Sequence, residues 1–280
     1  MHSVAPPPKD PLTEPAPWNA IATAYDEVWF GQLPELTDAA IELLAPERGD
    51  RVLDVAAGPG TLAVRLAPRV GHVMAIDFAE TMLVRLRGHI MRSRLPNLEA
   101  RLMNGEDLQF EDSSFDAAIS LFGVFLFDDR AQGLSEMFRV VVPGGHVLFS
   151  SWAPPEQNTL IGAGLAALRE ALPDLPRPSG PLPTQIPENC ASELEAIGFE
   201  QVATQLFEKS VRFESVADYW RSFERASAPL LVLKEKLGAD VYTQAVERAK
   251  AALRASWGES AIELQCSAIL TIGERPLSAA

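Results

Sequence analysis

Short apolar runs alternate with amphipathic helical patterns from Leu36 onward, as in βαβ units that build a mostly parallel sheet. The predicted strands one to five are 51–56, 72–77, 98–103, 115–121 and 146–151. Pro143, Gly144 and Gly145 are predicted to turn the chain into strand five. The pattern therefore predicts an α/β domain with a glycine turn after its first strand.

The second half of the chain is less regular. A proline-rich segment follows residue 152, and only 159–172 has a helical pattern within it. A helix at 188–196, a strand at 200–207, a helical region from 216 to about 256 and a last strand at 262–272 follow. We predict one domain over 18–280, with a cofactor-binding core at 18–151, substrate-lid insertions at 152–187 and 208–258, and a flexible Pro-rich arm at 1–17.

Composition and charge narrow the class of protein. The 280 residues are 47% hydrophobic and 22% charged, which is typical of a globular chain. The net charge of −14 disfavours nucleic acid and anionic lipid as partners, and the longest apolar run, 117–127, is too short to span a membrane. Cys190 and Cys266 stand in no metal-ligating or disulfide spacing. We expect a cytoplasmic protein that binds a small molecule and no metal.

The candidate chemistry lies in the first strand-to-helix turn and after the second strand. Gly58 and Gly60 lack Cβ atoms, so this loop can turn its backbone N–H groups toward a ligand. Asp77 ends the second strand, where a carboxylate can accept both hydroxyls of a ribose. The alternatives are that the glycines only allow strand and helix to pack, and that Asp77 caps the next helix. An adenosyl ligand and a dinucleotide both fit this pattern.

Three motifs resemble those of class I S-adenosylmethionine-dependent methyltransferases. They are VLDVAAGPG at 52–60, DFAETML at 77–83 and RVVVPGG at 139–145, in that order within a match that covers about 18–151. NGEDL at 104–108, SSFD at 113–116 and FGVF at 122–125 further resemble the branch that includes the ubiquinone and menaquinone biosynthesis methyltransferases. ATAYD at 22–26 resembles the N-terminal lid motif of that branch.

The resemblance implies a Rossmann-like, doubly wound sheet of seven strands with an antiparallel last strand and helical lid insertions. It also implies that S-adenosylmethionine is the cofactor and S-adenosylhomocysteine the product. The implied cofactor-binding residues are Tyr25, Asp54, Ala56, Ala57, Gly58, Gly60, Asp77, Phe78, Met82, Asn104, Gly105, Glu106 and Leu121. Two of them depart from the family pattern: Ala56 stands where many relatives have glycine, and Asn104 where aspartate is frequent.

Aromatic residues near the expected strand ends suggest an apolar pocket for the methyl acceptor. The candidates are Trp29, Phe122, Phe125, Trp152 and Trp220, and for each of them packing in the core is the alternative. No catalytic base is assigned, because the four histidines lie in the arm, at strand starts or late in a helix. The acceptor and the oligomeric state stay open.

The expected reaction is methyl transfer by in-line displacement to O or C of a small, largely apolar or aromatic metabolite, which suggests secondary metabolism. The alternatives are an adenosyl-ligand binding protein without turnover and an NAD(P)-dependent oxidoreductase. The chain lacks the Tyr-x-x-x-Lys pair of short-chain dehydrogenases, since Tyr25, Tyr219 and Tyr242 are followed at that spacing by other residues.

Overall fold

The computed structural model describes residues 9–175 and 180–277, and its centre is one seven-stranded sheet. The strands are β1 (Arg51–Val55), β2 (His72–Asp77), β3 (Leu98–Leu102), β4 (Phe115–Leu121), β5 (Val141–Trp152), β6 (Glu200–Phe213) and β7 (Ile262–Glu274). They lie in the order β3-β2-β1-β4-β5-β7-β6. Strands β1 to β5 pair in parallel, and β7 runs antiparallel to both β5 and β6. The predicted fold class is confirmed.

Helices cover both faces of the sheet. They are α1 (Pro15–Trp29), α2 (Pro34–Leu44), α3 (Thr61–Leu66), α4 (Glu80–Ser93), α5 (Arg130–Val140), α6 (Thr159–Ala171), α7 (Pro187–Ile197), α8 (Val216–Arg225), α9 (Ala228–Leu237) and α10 (Ala239–Trp257). Successive residues of β1 enter different cores, because side chains alternate across a strand. Val52 belongs to the core that includes residues of α2, α3, α6 and α10, whereas Leu53 belongs to the core that includes residues of α5 and α7.

The structure corrects two predicted boundaries, those of β5 and β6. β5 begins at Val141 and passes through Pro143 to Gly145 without a turn, and a shift in its register with β4 between Phe115 and Ala117 accommodates these residues. β6 continues to Phe213, so 208–213 are strand and the second insertion begins with α8. The helical region after it consists of three helices, which end at Trp257.

The N-terminal segment is more ordered than an arm where the structure describes it. Residues 1–8 lie outside the described residues, Pro11–Thr13 form one 3-10 turn, and α1 already begins at Pro15. Trp18 donates a hydrogen bond from Nε1 to the Leu12 carbonyl at 2.9 Å, which holds the turn against the helix. No helix in 9–175 or 180–277 is long and apolar enough to cross a membrane.

Candidate functional site

A cavity of about 330 Å³ lies at the carboxyl ends of β1, β2 and β4. This is the edge of a parallel sheet where ligands bind in doubly wound folds. Its walls come from the loop after β1, the start of α4, the turn after β3, the exit of β4 and the N-terminal segment. The lining residues that the sequence predicted as cofactor-binding are Tyr25, Ala56, Gly58, Asp77, Phe78, Met82, Asn104, Gly105, Glu106 and Leu121.

Two glycines of the loop after β1 have different roles. Gly58 has φ +55°, and a Cβ atom added there would meet no other atom within 4 Å, so its surface is open toward the cavity. Gly60 has φ +91°, and a Cβ atom there would lie 2.2 Å from Cδ1 of Leu86. Gly60 therefore allows the loop to pack on α4 and does not line the cavity, whereas Gly58 provides the close backbone approach that a ligand needs.

Asp77 joins the first loop to the start of α4. Its Oδ2 accepts a hydrogen bond from the Gly58 N–H at 2.8 Å, and its Oδ1 accepts one from the Ala79 N–H at 2.8 Å. The residue is 6% exposed, and burial raises the pKa of its carboxyl to about 6, while the backbone donors lower it. Each oxygen of a carboxylate has a second lone pair, so this brace can still accept hydrogen bonds from a ligand.

A second, smaller cavity of about 70 Å³ adjoins the first and shares Tyr25 and Phe122 with it as walls. Asp54 lines it, is 1% exposed, and its Oδ2 has no hydrogen-bond partner among the described residues. Burial, together with repulsion from Asp77, raises the pKa of Asp54 well above its usual range. A buried carboxyl without a partner is costly, so this cavity is suited to a cationic or hydrogen-bond-donating group of a ligand.

Helix α1 carries a row of three aromatic side chains along both cavities. Trp18 and Tyr25 line the larger one, and Tyr25 and Trp29 line the smaller one. The ring centroids are 6.4 Å apart for Trp18 and Tyr25 and 6.5 Å apart for Tyr25 and Trp29. Burial, and secondarily the charge of Asp77, raises the pKa of Tyr25 to about 12, so its hydroxyl is neutral at physiological pH. Aromatic faces at such spacing can attract a cation between them.

A buried ion cluster fixes α1 on α4. Asp26, next to Tyr25, is 4% exposed and accepts hydrogen bonds from Arg85 at 2.7 Å and from the His89 ring at 2.8 Å. The Phe30 ring stacks on His89 with centroids 4.0 Å apart. This arrangement gives Asp26 and His89 a positioning role, in which they hold the aromatic row over the cavity.

The turn after β3 closes the far end of the larger cavity. Asn104 accepts a hydrogen bond at Oδ1 from the Glu106 N–H at 3.0 Å, and Oε1 of Glu106 accepts one from the Asp129 N–H at 2.6 Å. Both side chains are thus engaged in holding the turn. A Cβ atom at Gly105 would lie 2.6 Å from Cζ of Phe127, so glycine is required there for the packing of the turn.

The exit of β4 is strained. Phe122 has φ +59°, which is rare for a bulky residue, and its N–H donates to Oγ of Ser150 at 2.9 Å. Its ring stacks on Trp152 with centroids 3.8 Å apart and planes at 17°. Phe122 borders both cavities, so the stack with Trp152 sets the position of the wall between them.

The structure brings together only part of the predicted acceptor pocket. Trp29 and Phe122 line a cavity, whereas Phe125 and Trp152 line neither of the two. Trp220 is fully buried against Tyr219 and Phe223 in the core, because α8 packs on α6 and α10. The predicted lid segments 152–187 and 208–258 contribute no residue to either cavity, although Ala228 of α9 packs behind α1.

Sequence reasoning missed the N-terminal wall of the larger cavity. Lys9 lies 3.3 Å from Asp128 and 3.9 Å from Glu14, and these three residues border the opening together with Thr13. Trp18 and Phe127 also line it. The prolines of 1–17 suggested an unstructured arm, but Pro11 and Pro15 each stand in the first turn of a helix, where proline is favoured.

Ala56 provides a test of the loop's backbone strain. It is held at φ +56°, a left-handed conformation that costs an alanine about 1–2 kcal/mol. Ala56→Gly removes this cost and adds about 0.4–1 kcal/mol of unfolded-chain entropy, so we expect the free energy of unfolding to rise by roughly 0.5–1 kcal/mol. Ala57→Gly, whose φ is not positive, is the matched control and should lower it. Urea denaturation measures the free energy of unfolding of both variants. A loss of stability in Ala56→Gly would show that the backbone at this position is not strained.

Comparisons with known proteins agree with this geometry. Residues 52–145 match a family model described as a methyltransferase domain. A demethylmenaquinone methyltransferase of Clavibacter sepedonicus is 35% identical over 156 residues, which are 52% of this chain and 61% of that protein. The chain spans about half to three fifths of the length of the curated relatives it matches.

Solved structures share the fold over most of the chain. A putative methyltransferase from Bacillus halodurans has a TM-score of 0.58 and 21% identity, and the match covers 86% of this chain and 98% of that one. The [4+2]-cyclase SpnF has a TM-score of 0.59 and 17% identity, with 94% and 95% covered. At these identities the likeness establishes the architecture alone.

Proposed function

We propose that this chain, a class I S-adenosylmethionine-dependent methyltransferase similar to the ubiquinone and menaquinone biosynthesis branch, methylates an oxygen or carbon atom of a small metabolite. The metabolite is largely apolar or aromatic in this proposal. The observation that supports it best is the buried Asp77 carboxylate, which lines a ligand-sized cavity beside the open face of Gly58.

S-adenosylmethionine is the cofactor, and when bound it supplies an electrophilic methyl group on a sulfonium. The residues present fit it. The second lone pairs of the Asp77 oxygens can accept the two ribose hydroxyls. Phe78 and Met82 offer apolar contact for the adenine base. The unpartnered Oδ2 of Asp54 suits the ammonium of the amino-acid tail, and the positive charge of that ammonium would lower the pKa of the Asp54 carboxyl.

The aromatic row of α1 suits the charge of the methyl donor. Tyr25 borders both cavities and so stands where the sugar and the amino-acid tail would meet, near the sulfonium. A neutral phenol presents an attractive face to a cation without a competing charge. At the opening Glu14 and Asp128 outnumber the one cation between them, Lys9, so this group adds a net negative charge that favours a cationic ligand over an anionic dinucleotide.

The acceptor is proposed to reach the methyl donor beside the amino-acid tail, where the walls of the smaller cavity are apolar apart from Asp54 and two threonines. Trp29, Leu121 and Phe122 face the smaller cavity, together with Leu33 and Leu36. The bound cofactor would supply the methyl group, and these apolar side chains would hold the acceptor oxygen or carbon in line with it and exclude water from the contact. Positioning in a dry pocket supplies the catalysis, so the step needs no dedicated base.

Ligand binding and turnover distinguish this function from two others, an NAD(P)-dependent oxidoreductase and an adenosyl-ligand binding protein without turnover. Isothermal titration with S-adenosylhomocysteine and with NADH tests the first distinction, and we expect heat with S-adenosylhomocysteine only. Incubation with S-adenosylmethionine and a panel of phenols, quinols and isoprenoids tests the second by release of S-adenosylhomocysteine. Binding of NADH alone would support an oxidoreductase, and binding of S-adenosylhomocysteine without turnover would support a binding protein.

The raised pKa of Asp77 predicts that cofactor binding depends on pH. In the free protein the carboxyl takes up its proton as the pH falls through about 6. Ribose hydroxyls donate to the ionised form, so binding lowers this pKa and releases the proton. We expect the affinity for S-adenosylhomocysteine to fall by up to about tenfold per pH unit below 6.

Asp77→Asn is the control for this dependence. It should bind more weakly and lose the step near pH 6, whereas Asp54→Asn should keep that step and lose only the pH dependence that the raised pKa of Asp54 adds. Titration calorimetry at several pH values measures the dissociation constant of S-adenosylhomocysteine for each variant. A step of unchanged size in Asp77→Asn would assign the titration to another group.

A further inference from the structure

The smaller cavity is too small for an aromatic methyl acceptor. Its volume is about 70 Å³, whereas an apolar protein cavity known to bind benzene measures about 150 Å³. The larger cavity is taken up by the cofactor in the proposed function, on which this inference rests. A wall of the smaller cavity must therefore move before an aromatic ring can reach the methyl donor.

Phe122 is the bulky wall residue that the structure holds in a strained conformation. Its φ of +59° lies in the left-handed region, which is unfavourable for a large side chain. The aromatic walls on the other side, Tyr25 and Trp29, belong to α1, which the buried ion pairs of Asp26 fix on α4. Movement of the Phe122 ring is therefore the least costly way to enlarge the cavity.

The Phe122 ring covers one face of the Trp152 indole. The two rings are stacked, with centroids 3.8 Å apart and planes at 17°. The group that this indole face accepts is thus a flat, apolar, six-membered ring. An acceptor ring of the same shape could make the same contact, because stacking depends on the flatness of both partners.

We propose that a planar ring of the methyl acceptor stacks on Trp152 in place of Phe122. Phe122 is a gate that covers the indole until the acceptor arrives, and its displacement adds the volume of a phenyl ring to the smaller cavity. One aromatic stack is exchanged for another, so the exchange costs little. Trp152 then determines specificity, since a flat ring can stack on it and a puckered ring cannot.

Isothermal titration with 2-naphthol tests the exchange, with and without saturating S-adenosylhomocysteine. We expect the wild-type chain to bind 2-naphthol and Phe122→Ala to bind it about three- to tenfold more tightly, because no stack has to be broken first. Phe110→Ala is the matched control. It removes an edge-on contact with Phe115, at the other end of β4, and should leave the affinity for 2-naphthol unchanged.

Decahydro-2-naphthol, the saturated and puckered relative of this probe, tests the role of Trp152. The wild-type chain should prefer 2-naphthol by about threefold or more. Trp152→Leu should lose this preference, whereas Trp152→Phe, which keeps a flat face, should retain it. Circular dichroism confirms that each variant folds.

Three results would overturn the proposal. They are a wild-type chain that binds no 2-naphthol although Phe122→Ala does, equal affinities in these two chains, and a preference for the flat probe that survives in Trp152→Leu. Titration of the same samples with S-adenosylhomocysteine keeps the proposed function separate. Chains that bind this compound but fail the tests above leave the proposed function standing, whereas a wild-type chain that does not bind it refutes both.

Discussion

Asp77→Ala is expected to reduce the affinity for S-adenosylhomocysteine by about a hundredfold or more. The variant removes the acceptor for two ribose hydroxyls, and a hydrogen bond to a charged group is worth about 1.5–3 kcal/mol. It also removes the acceptor of the Gly58 and Ala79 N–H groups, so the loop that borders the cavity loses its brace. Titration calorimetry measures the loss.

Asp116→Ala is the matched control. Asp116 also accepts a backbone hydrogen bond, from the Arg51 N–H at 2.7 Å, but at the opposite end of the strands. The control should lower stability and leave the dissociation constant within about twofold. Equal weakening in both variants would mean that the effect comes from general destabilisation, and an unchanged affinity in Asp77→Ala would remove Asp77 from the site.

Trp220→Ala is expected to lower the free energy of unfolding by about 3 kcal/mol or more. The indole is fully buried and packs edge-on against Tyr219 and Phe223, so alanine leaves a large cavity in the core. The affinity for S-adenosylhomocysteine should stay unchanged in the folded variant, because Trp220 borders neither cavity. Urea denaturation and calorimetry on the same sample measure the two quantities.

Trp220→Phe separates packing from hydrogen bonding. The Nε1 of Trp220 is buried without a partner among the described residues, so phenylalanine removes an unsatisfied donor and keeps most of the apolar contact. Trp220→Phe should lower the free energy of unfolding by much less than Trp220→Ala does. If Trp220→Ala instead kept its stability and changed the apparent KM of an acceptor, the residue would belong to a pocket, as one interpretation of the sequence had it.

The parts of the fold that could be predicted are those encoded by local pattern. The bounds of β2 and β4 were predicted to the residue, because each is a mostly buried run with polar or turn residues on either side. The path of β5 through Pro143 was not, because the register shift against β4 depends on pairing between distant segments. The full length of β6 was missed because Glu208, Lys209 and Ser210 interrupt the apolar pattern before Val211 and Phe213.

The residues of the candidate site likewise fall into those that local pattern predicts and those that depend on contacts between distant segments. The loop after β1 and Asp77 follow from the order of strand, glycine turn, helix and strand, and the structure brings them together at one cavity. The stacking of Phe122 on Trp152 depends on the register between β4 and β5, and the core position of Trp220 depends on how α8 packs on α6 and α10. Spacing along one segment encodes neither. Lys9 gave no signal, because its contact with Asp128 joins segments more than a hundred residues apart.

A crystal structure of the chain with S-adenosylhomocysteine tests the central claim most directly. The account predicts that both ribose hydroxyls lie within hydrogen-bond distance of the Asp77 carboxylate and that the amino-acid tail lies over 56–60, with its ammonium near Oδ2 of Asp54. Density for the ligand in another crevice, or a ribose with no contact to Asp77, would contradict it.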